Sequence, residues 1–356
     1  MPDGQGSLGN SWPDLGQAGA RFIGAQRIVP TPKRPTRPGE TTRNLILAYR
    51  PGWQSLADLN AMARHVRDLD RTIGVFILAS TLRNSIARKA AARLPSLVVS
   101  PGRMPIFVPK RGKVYQGSPI AKFEELRRLH DAGVPVPRTA ILTPQLSLNP
   151  ADWGPFVILK PTDIGSSSHG RGIQLMRTER VRYKAPQDYP ADHPGRLGPM
   201  FIQQYIDTGE KLRSHRITTL FGEPLMALLH TSDAPRVDLG GSDDIIESAP
   251  MAIQGAGARH TEFIDAPDAV ALARAAHEAI PEVPLKGCDL LRDAATGRLY
   301  VIELNCGGNT WHFSSQFLAR RRKEHGAEFE LRRRQQFDAM RSAARVLVER
   351  TIAEAV

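Results

Sequence analysis

The sequence predicts an α/β unit followed by an α+β unit. From Asn44 the chain alternates apolar runs with helical spacing: strand 44–49, helix Ser55–Leu69, strand 72–79, helix 81–94 and strand 96–99. Strands separated by helices pair in parallel. Later apolar runs instead come as hairpins, His215–Phe221 with Pro224–His230 around Gly222-Glu223, and Cys288–Leu291 with Leu299–Leu304 around the polar turn Asp293–Arg298. Gly297 supplies that turn with a residue tolerant of positive φ.

The last hairpin carries the first chemical signal. Folded about position 296, it sets Asp289 opposite Glu303, and alternation puts Asn305 on the face of Glu303. Two carboxylates and an amide oxygen then converge from an apolar frame. Burying both acids without a counter-charge is costly, and a hard cation such as Mg²⁺ relieves that cost. A surface hairpin with its acids in water fits the hairpin alone equally well.

The chain has 356 residues, enough for two or three packed units. Its 24% charged and 41% hydrophobic residues are those of an ordinary globular protein, and no apolar run is long enough for a membrane span. Residues 1–43 are rich in Gly, Pro and Ser and are expected to form a flexible leader without a secretory signal. Two cysteines exclude a disulfide framework, so a cytoplasmic setting is the simplest. The formal charge is +12, of which residues 1–44 carry +3 and residues 318–356 carry +4. With more than half of the excess at the two ends and no nucleic-acid motif beside it, a solvated basic surface suited to anionic substrates is favoured over a nucleic-acid module.

The first unit, 44–117, ends in a linker at 101–117 and lacks G-x-G-x-x-G, so nothing supports a dinucleotide there. Ser118 with Pro119 opens a helix that stops at Gly133, with Lys122 just inside it. By itself Lys122 is most simply a solvated lysine. The run F-V-I-L-K-P, 156–161, is a buried strand ending in Lys160. A Gly/Ser stretch follows at 162–175, suited to a flap over phosphate groups or to a flexible surface hairpin. It is not a Walker A loop, because its lysine precedes the glycines. Met200–Ile206 is the next strand, 231–257 a long polar loop, Ala266–Ile280 an amphipathic helix, and the arginine-rich end a core helix pair.

In this order the motifs resemble those of the ATP-grasp superfamily, which includes D-alanine–D-alanine ligase, glutathione synthetase and the ligases that add glutamate to protein tails. The resemblance covers about Ser118 to Trp311: Lys122 eleven residues before G-V-P-V-P, then F-V-I-L-K-P, the Gly/Ser stretch, F-I-Q-Q-Y-I, and D-L-L-R-D…Y-V-I-E-L-N. It implies an ATP-grasp fold over 118–356 behind a Rossmann-like domain at 44–117. Within it, 118–205 is the central subdomain, 206–311 the C-terminal subdomain and 312–356 the terminal helices. It further implies ATP and magnesium as cofactors, with two metal ions and manganese as a substitute.

By position, the resemblance implies that Lys122 and Lys160 bind phosphates and that Ser166, Ser167, Ser168 and Gly172 belong to the flap. Gln204, Tyr205 and Ile206 would meet adenine, and Glu210 the ribose. Asp289, Glu303 and Asn305 would hold the metal. Arg216, with Arg292 as a second candidate, would steady the transferred phosphate. Asn309, Trp311 and His312 lie where an acceptor would touch, although His312 is more simply an ordinary hydrogen-bonded histidine. Cys306 is a packing residue, since no base partner is identifiable. Two positions depart from the family pattern: Gly287 stands where some members have an arginine, and Gln204 where a glutamate is usual.

The implied chemistry is phosphorylation of a carboxylate by ATP and attack on the acyl phosphate by an amine. The substrates would be small molecules or peptides, and no membrane is involved. A phosphotransferase on the same site and a non-catalytic nucleotide-binding module are the alternatives.

Overall fold

The run Leu45–Ala48 has no polar face, so a strand built from it must be covered on both sides. The computed structural model describes residues 41–80, 86–103, 107–162, 172–251, 258–306 and 316–356. In it, β1 (Arg43–Tyr49) pairs in parallel with β2 (Ile73–Ala79) and β3 (Ser96–Ser100). Helix α1 (Leu56–Leu69) covers Leu45 and Leu47, while α2 (Ile86–Arg93) covers Ile46 and Ala48. A further parallel strand, β4 (Gly112–Gln116), lies where a linker was expected and completes the order β2-β1-β3-β4. It escaped the hydrophobic pattern because Tyr115 is its one buried residue.

The second layer begins with α3 (Lys122–Asp131), which starts three residues later than the Ser118-Pro119 signal suggested. Ile120 packs into the cluster around the later helix 267–279, and this anchors the segment ahead of α3. Gly133 (φ +76) ends the helix as expected. There follow β5 (Thr139–Ile141), a short helix α4 (Pro150–Trp153), β6 (Phe156–Pro161), β7 (Gln174–Arg177) and β8 (Met200–Gln204). These strands form an antiparallel sheet in the order β5-β8-β6-β7. Val157, Leu159, Met200 and Ile202 face one core of this sheet, and Phe156 and Ile158 face the other.

The third layer is antiparallel throughout. It contains β9 (Lys211–Leu220), β10 (Glu223–Pro235), helix α5 (Asp243–Ser248), β11 (Arg259–Phe263), helix α6 (Pro267–Ala279), β12 (Leu285–Arg292) and β13 (Leu299–Asn305). The strand order is β11-β10-β9-β12-β13. The first hairpin turns on Phe221 and Gly222, both at positive φ, one residue before the expected pair. The expected loop 231–257 contains the end of β10 and α5. Val237, Leu239, Ile246 and Met251 fold back onto Phe156, Ile158, Leu175 and Tyr205 of the second layer. Arg177 and Arg180 pair with Asp243 at 2.9 and 2.8 Å and fasten that return.

The chain ends in α7 (Gln316–Gln335), broken at Gly326 (φ +77), and α8 (Ala339–Glu354). Met340, Ala344, Leu347 and Val348 are buried. They pack with α1, β1 and β3 and also with Leu220, Phe221 and Leu285 of the third layer. Helix α3 likewise sends Leu129 into the core of β12, β13 and α6. Both helices thus pack across the boundaries expected at 118, 205 and 312. Among the described residues no helix is long and apolar enough to cross a membrane.

Candidate active site

Hairpin β12–β13 sets Asp289 directly opposite Glu303 and Gly287 opposite Asn305. A bulge then shifts the register, so Leu290 pairs with Val301 and Ile302 is the extra residue. On the other side of β12, Asp289 faces Arg216 of β9. Arg216 Nε lies 2.5 Å from Asp289 Oδ1, and its Nη2 donates to Oδ2 at 2.9 Å. Asn305 donates its Nδ2 to the same Oδ2 at 2.9 Å. Burial pushes the Asp289 carboxyl up to about 6 against the pull of Arg216, and the Glu303 charge adds to the rise.

Lys122 enters from the first turn of α3 and donates to Glu303 Oε1 at 3.0 Å. Burial alone would raise the Glu303 carboxyl, but Lys122, Lys160 and Arg216 together hold it below the ordinary carboxylate range. Lys160, near the end of β6, donates to Gln203 Oε1 at 2.6 Å. Its amine is pushed down to about 8 by burial, with the Lys122 charge acting in the same direction. Three cations from three elements therefore gather round two carboxylates. That charge balance suits an anion whose oxygens meet the cations while a metal ion meets the acids.

The donor set fits magnesium. Asp289 and Glu303 offer carboxylate oxygens, and half a turn of the Asn305 amide presents an oxygen in place of its NH₂. Magnesium takes one or two carboxylates and fills its other positions with phosphate and water. Among the described residues no set of three His, Cys, Asp or Glu forms a competing metal cluster.

Several expected residues stand elsewhere. Arg292 lies on the opposite face of the sheet, bound to Asp268 of α6 at 2.7 Å and to the Gly297 carbonyl at 2.9 Å. It is three residues from Asp289, and alternation turns it away, so its expected catalytic role is corrected. Gln204 has the parity of Ile202, in the cluster that faces away from Lys160, and its backbone N–H donates to the Arg138 carbonyl at 2.8 Å. Its neighbour Gln203 holds Lys160 instead, and Gln203 Nε2 is buried with no hydrogen-bond partner among the described residues. The Gln204 side chain therefore lies on the other face of β8 from Lys160, and Gln203 is the glutamine on the Lys160 face. Register alone reveals this: Ile158 pairs with Gln203 and Lys160 with Phe201.

Tyr205 meets Phe156 edge-on with ring centroids 6.4 Å apart, and Ile206 is buried. Glu210 is exposed in the turn before β9, where its carbonyl accepts from Arg236 N at 2.8 Å. Gly172 (φ +70) lies against Pro194 at the start of β7. Ser166, Ser167 and Ser168 lie outside the described residues, as do Asn309, Trp311 and His312. A cavity of about 350 Å³ beside Leu142, Tyr183, Tyr189 and Met200 opens on the face of the second sheet remote from Lys160. It takes no part in this arrangement.

No family model matches the chain, and no curated protein matches it. Among solved structures it is similar to the D-cycloserine synthetase DcsG, at 16% identity and TM-score 0.47, covering 86% of this chain and 99% of that one. It is also similar to the ATP-grasp ligase PsnB complexed with a phosphomimetic variant of its minimal precursor, Mg and ADP (16% identity, TM-score 0.46, 86% and 98% covered). A third is D-alanine–D-alanine ligase from Bacillus anthracis (14% identity, TM-score 0.41, 87% and 97% covered).

Proposed function

We propose that this protein is an ATP-dependent ligase that activates a carboxylate as an acyl phosphate for attack by an amine. One observation carries the reading: Lys122, Lys160 and Arg216 converge on the facing pair Asp289 and Glu303.

Lys122 and Lys160 act as point charges on the phosphates of ATP, and Gln203 orients Lys160. Asp289, Glu303 and Asn305 hold magnesium, which when bound offsets charge on the phosphate oxygens. Arg216 faces the transferring group and stabilises charge on its equatorial oxygens. The substrate carboxylate oxygen attacks the γ-phosphorus, the bond to the β-phosphate bridge breaks, and ADP leaves with that electron pair. The amine nitrogen then attacks the acyl carbon, inorganic phosphate departs, and the nitrogen loses a proton to solvent. The protein supplies alignment and charge for both steps. Tyr205 and Ile206 wall the nucleobase, Glu210 meets the ribose, and Gly172 with Ser166, Ser167 and Ser168 forms the flap. The substrates are a small-molecule or peptide carboxylate and an amine. Manganese substitutes for magnesium, two ions serve the reaction, and the reaction takes place in the cytoplasm.

The test is incubation with Mg-ATP, a pool of candidate acids and hydroxylamine. Hydroxamate formed in step with ADP supports the ligase. ADP release with a stable phosphorylated product and no hydroxamate overturns it in favour of a phosphotransferase.

A further inference from the structure

Glu125 is a buried acid with no part in the chemistry above. It is 2% exposed, and its Oε1 accepts the Leu304 backbone N–H at 2.6 Å. Its Oε2 lies 4.0 Å from the Cys306 thiol. Burial lifts its carboxyl well above the ordinary range.

Three features of α3 make this contact more than an isolated hydrogen bond. Glu125 follows Lys122 by three residues, so the two side chains share a helix face. They meet adjacent residues of β13: Lys122 takes the Glu303 carboxylate and Glu125 takes the Leu304 amide. The first turn of α3 has no side-chain cap, because Ala121 occupies the cap position. The Glu125 carboxyl, placed in that uncapped turn, fastens it to β13. The outer edge of β13 is otherwise met by the Pro135 carbonyl, which accepts from Val301 N at 2.9 Å.

We infer that Glu125 is a positioning residue for Lys122: by anchoring α3 to the Leu304 amide, it holds the Lys122 ammonium at the phosphate end of the nucleotide site. The inference rests on the nucleotide reading above and extends it to a residue that touches neither nucleotide nor metal.

The test measures ATP and AMP dissociation constants for wild type, E125Q, E125M, K122M and E125M/K122M, with thermal unfolding as the control for folding. Glutamine keeps an oxygen for the Leu304 N–H, so E125Q binds ATP as wild type does. Methionine fills the space without an acceptor, and E125M weakens ATP by about tenfold while leaving AMP within about twofold. Because both changes act through one ammonium, E125M/K122M is no weaker than K122M alone by more than about twofold. If E125M does not fold, E125D, which withdraws the carboxyl by one methylene, takes its place with the same cycle.

Equal loss of ATP and AMP, failure of E125Q to retain affinity, or additive effects of the two substitutions overturn the inference. ATP binding by wild type keeps the nucleotide reading intact in each of those cases. Absence of ATP binding by wild type overturns that reading and the role of Glu125 with it.

Discussion

Arg216 on β9 and Asp289 on β12 are direct cross-strand partners, held by an ion pair of 2.5 Å and a hydrogen bond of 2.9 Å. Removing the arginine leaves Asp289 buried beside Glu303 with its counter-charge gone. Arg216→Ala is expected to cost about 2–4 kcal/mol of stability in metal-free buffer, as one-sided loss of a largely buried pair does. Replacing both charges, Arg216→Ala with Asp289→Asn, restores much of that loss. Urea unfolding of the two variants checks the order, and a double variant weaker than Arg216→Ala contradicts the pairing argument.

Glu303→Gln keeps the shape of the site but removes one carboxylate and the partner of Lys122. Mg-ATP binding is expected to weaken by at least about tenfold, with urea stability within about 1 kcal/mol of wild type. Titration calorimetry with and without magnesium reads this. Unchanged magnesium dependence of ATP binding would count against Glu303 as a ligand.

Lys286, on the face of β12 opposite Asp289, gives a pH dependence of its own. It is buried, and its Nζ lies 2.6 Å from His277 Nδ1 and 2.8 Å from the Val283 carbonyl. Burial pushes its amine down to about 8 from 10.5. Between those two pH values the unfolded chain binds a proton that the native state does not, so this residue makes stability rise with pH across that window. Lys286→Met is expected to reduce the slope by up to about 1.4 kcal/mol per pH unit between pH 8 and 10.5. Chemical denaturation at a series of pH values compares the two proteins, and identical slopes reject a depressed Lys286.

Gly117 lies between the first sheet and the residue that follows β13. A Cβ there would sit 2.1 Å from the Pro101 carbonyl oxygen and 2.8 Å from that of Cys306. Both obstacles are backbone, so Gly117→Ala is expected to cost at least about 2 kcal/mol and to weaken Mg-ATP binding through Asn305. Thermal unfolding and ATP titration of the variant are the measurements. A stable variant with intact affinity shows that this junction yields.

How much of this was legible in the sequence depended on distance along the chain. Asp289 opposite Glu303 follows from folding the hairpin about position 296, although the turn itself pairs Leu290 with Val301 and the extra residue Ile302 is what carries Asp289 on to Glu303. The facing of Arg292 was readable too, since three residues along a strand reverse the face. Gln203 was not, because choosing it over Gln204 requires the register of β8 against β6, set by strands some 40 residues apart. Glu125 showed its helix face but not its target, the amide of Leu304, which lies 179 residues away. Strand β4 was hidden for a different reason: a parallel edge strand with one buried residue leaves no periodic pattern.

Helix α8 closes the apolar face of β1 and β3, although about 240 residues separate β3 from it. Until α8 is made, that face of the first sheet has only α1 as its cover, so a helix far along the chain completes the first unit begun. Such a late closure slows folding and leaves part of an apolar surface open until α8 docks. Chains stopped before Ala339 should accordingly partition to chaperones or inclusion bodies, even though they contain every residue of the proposed nucleotide site.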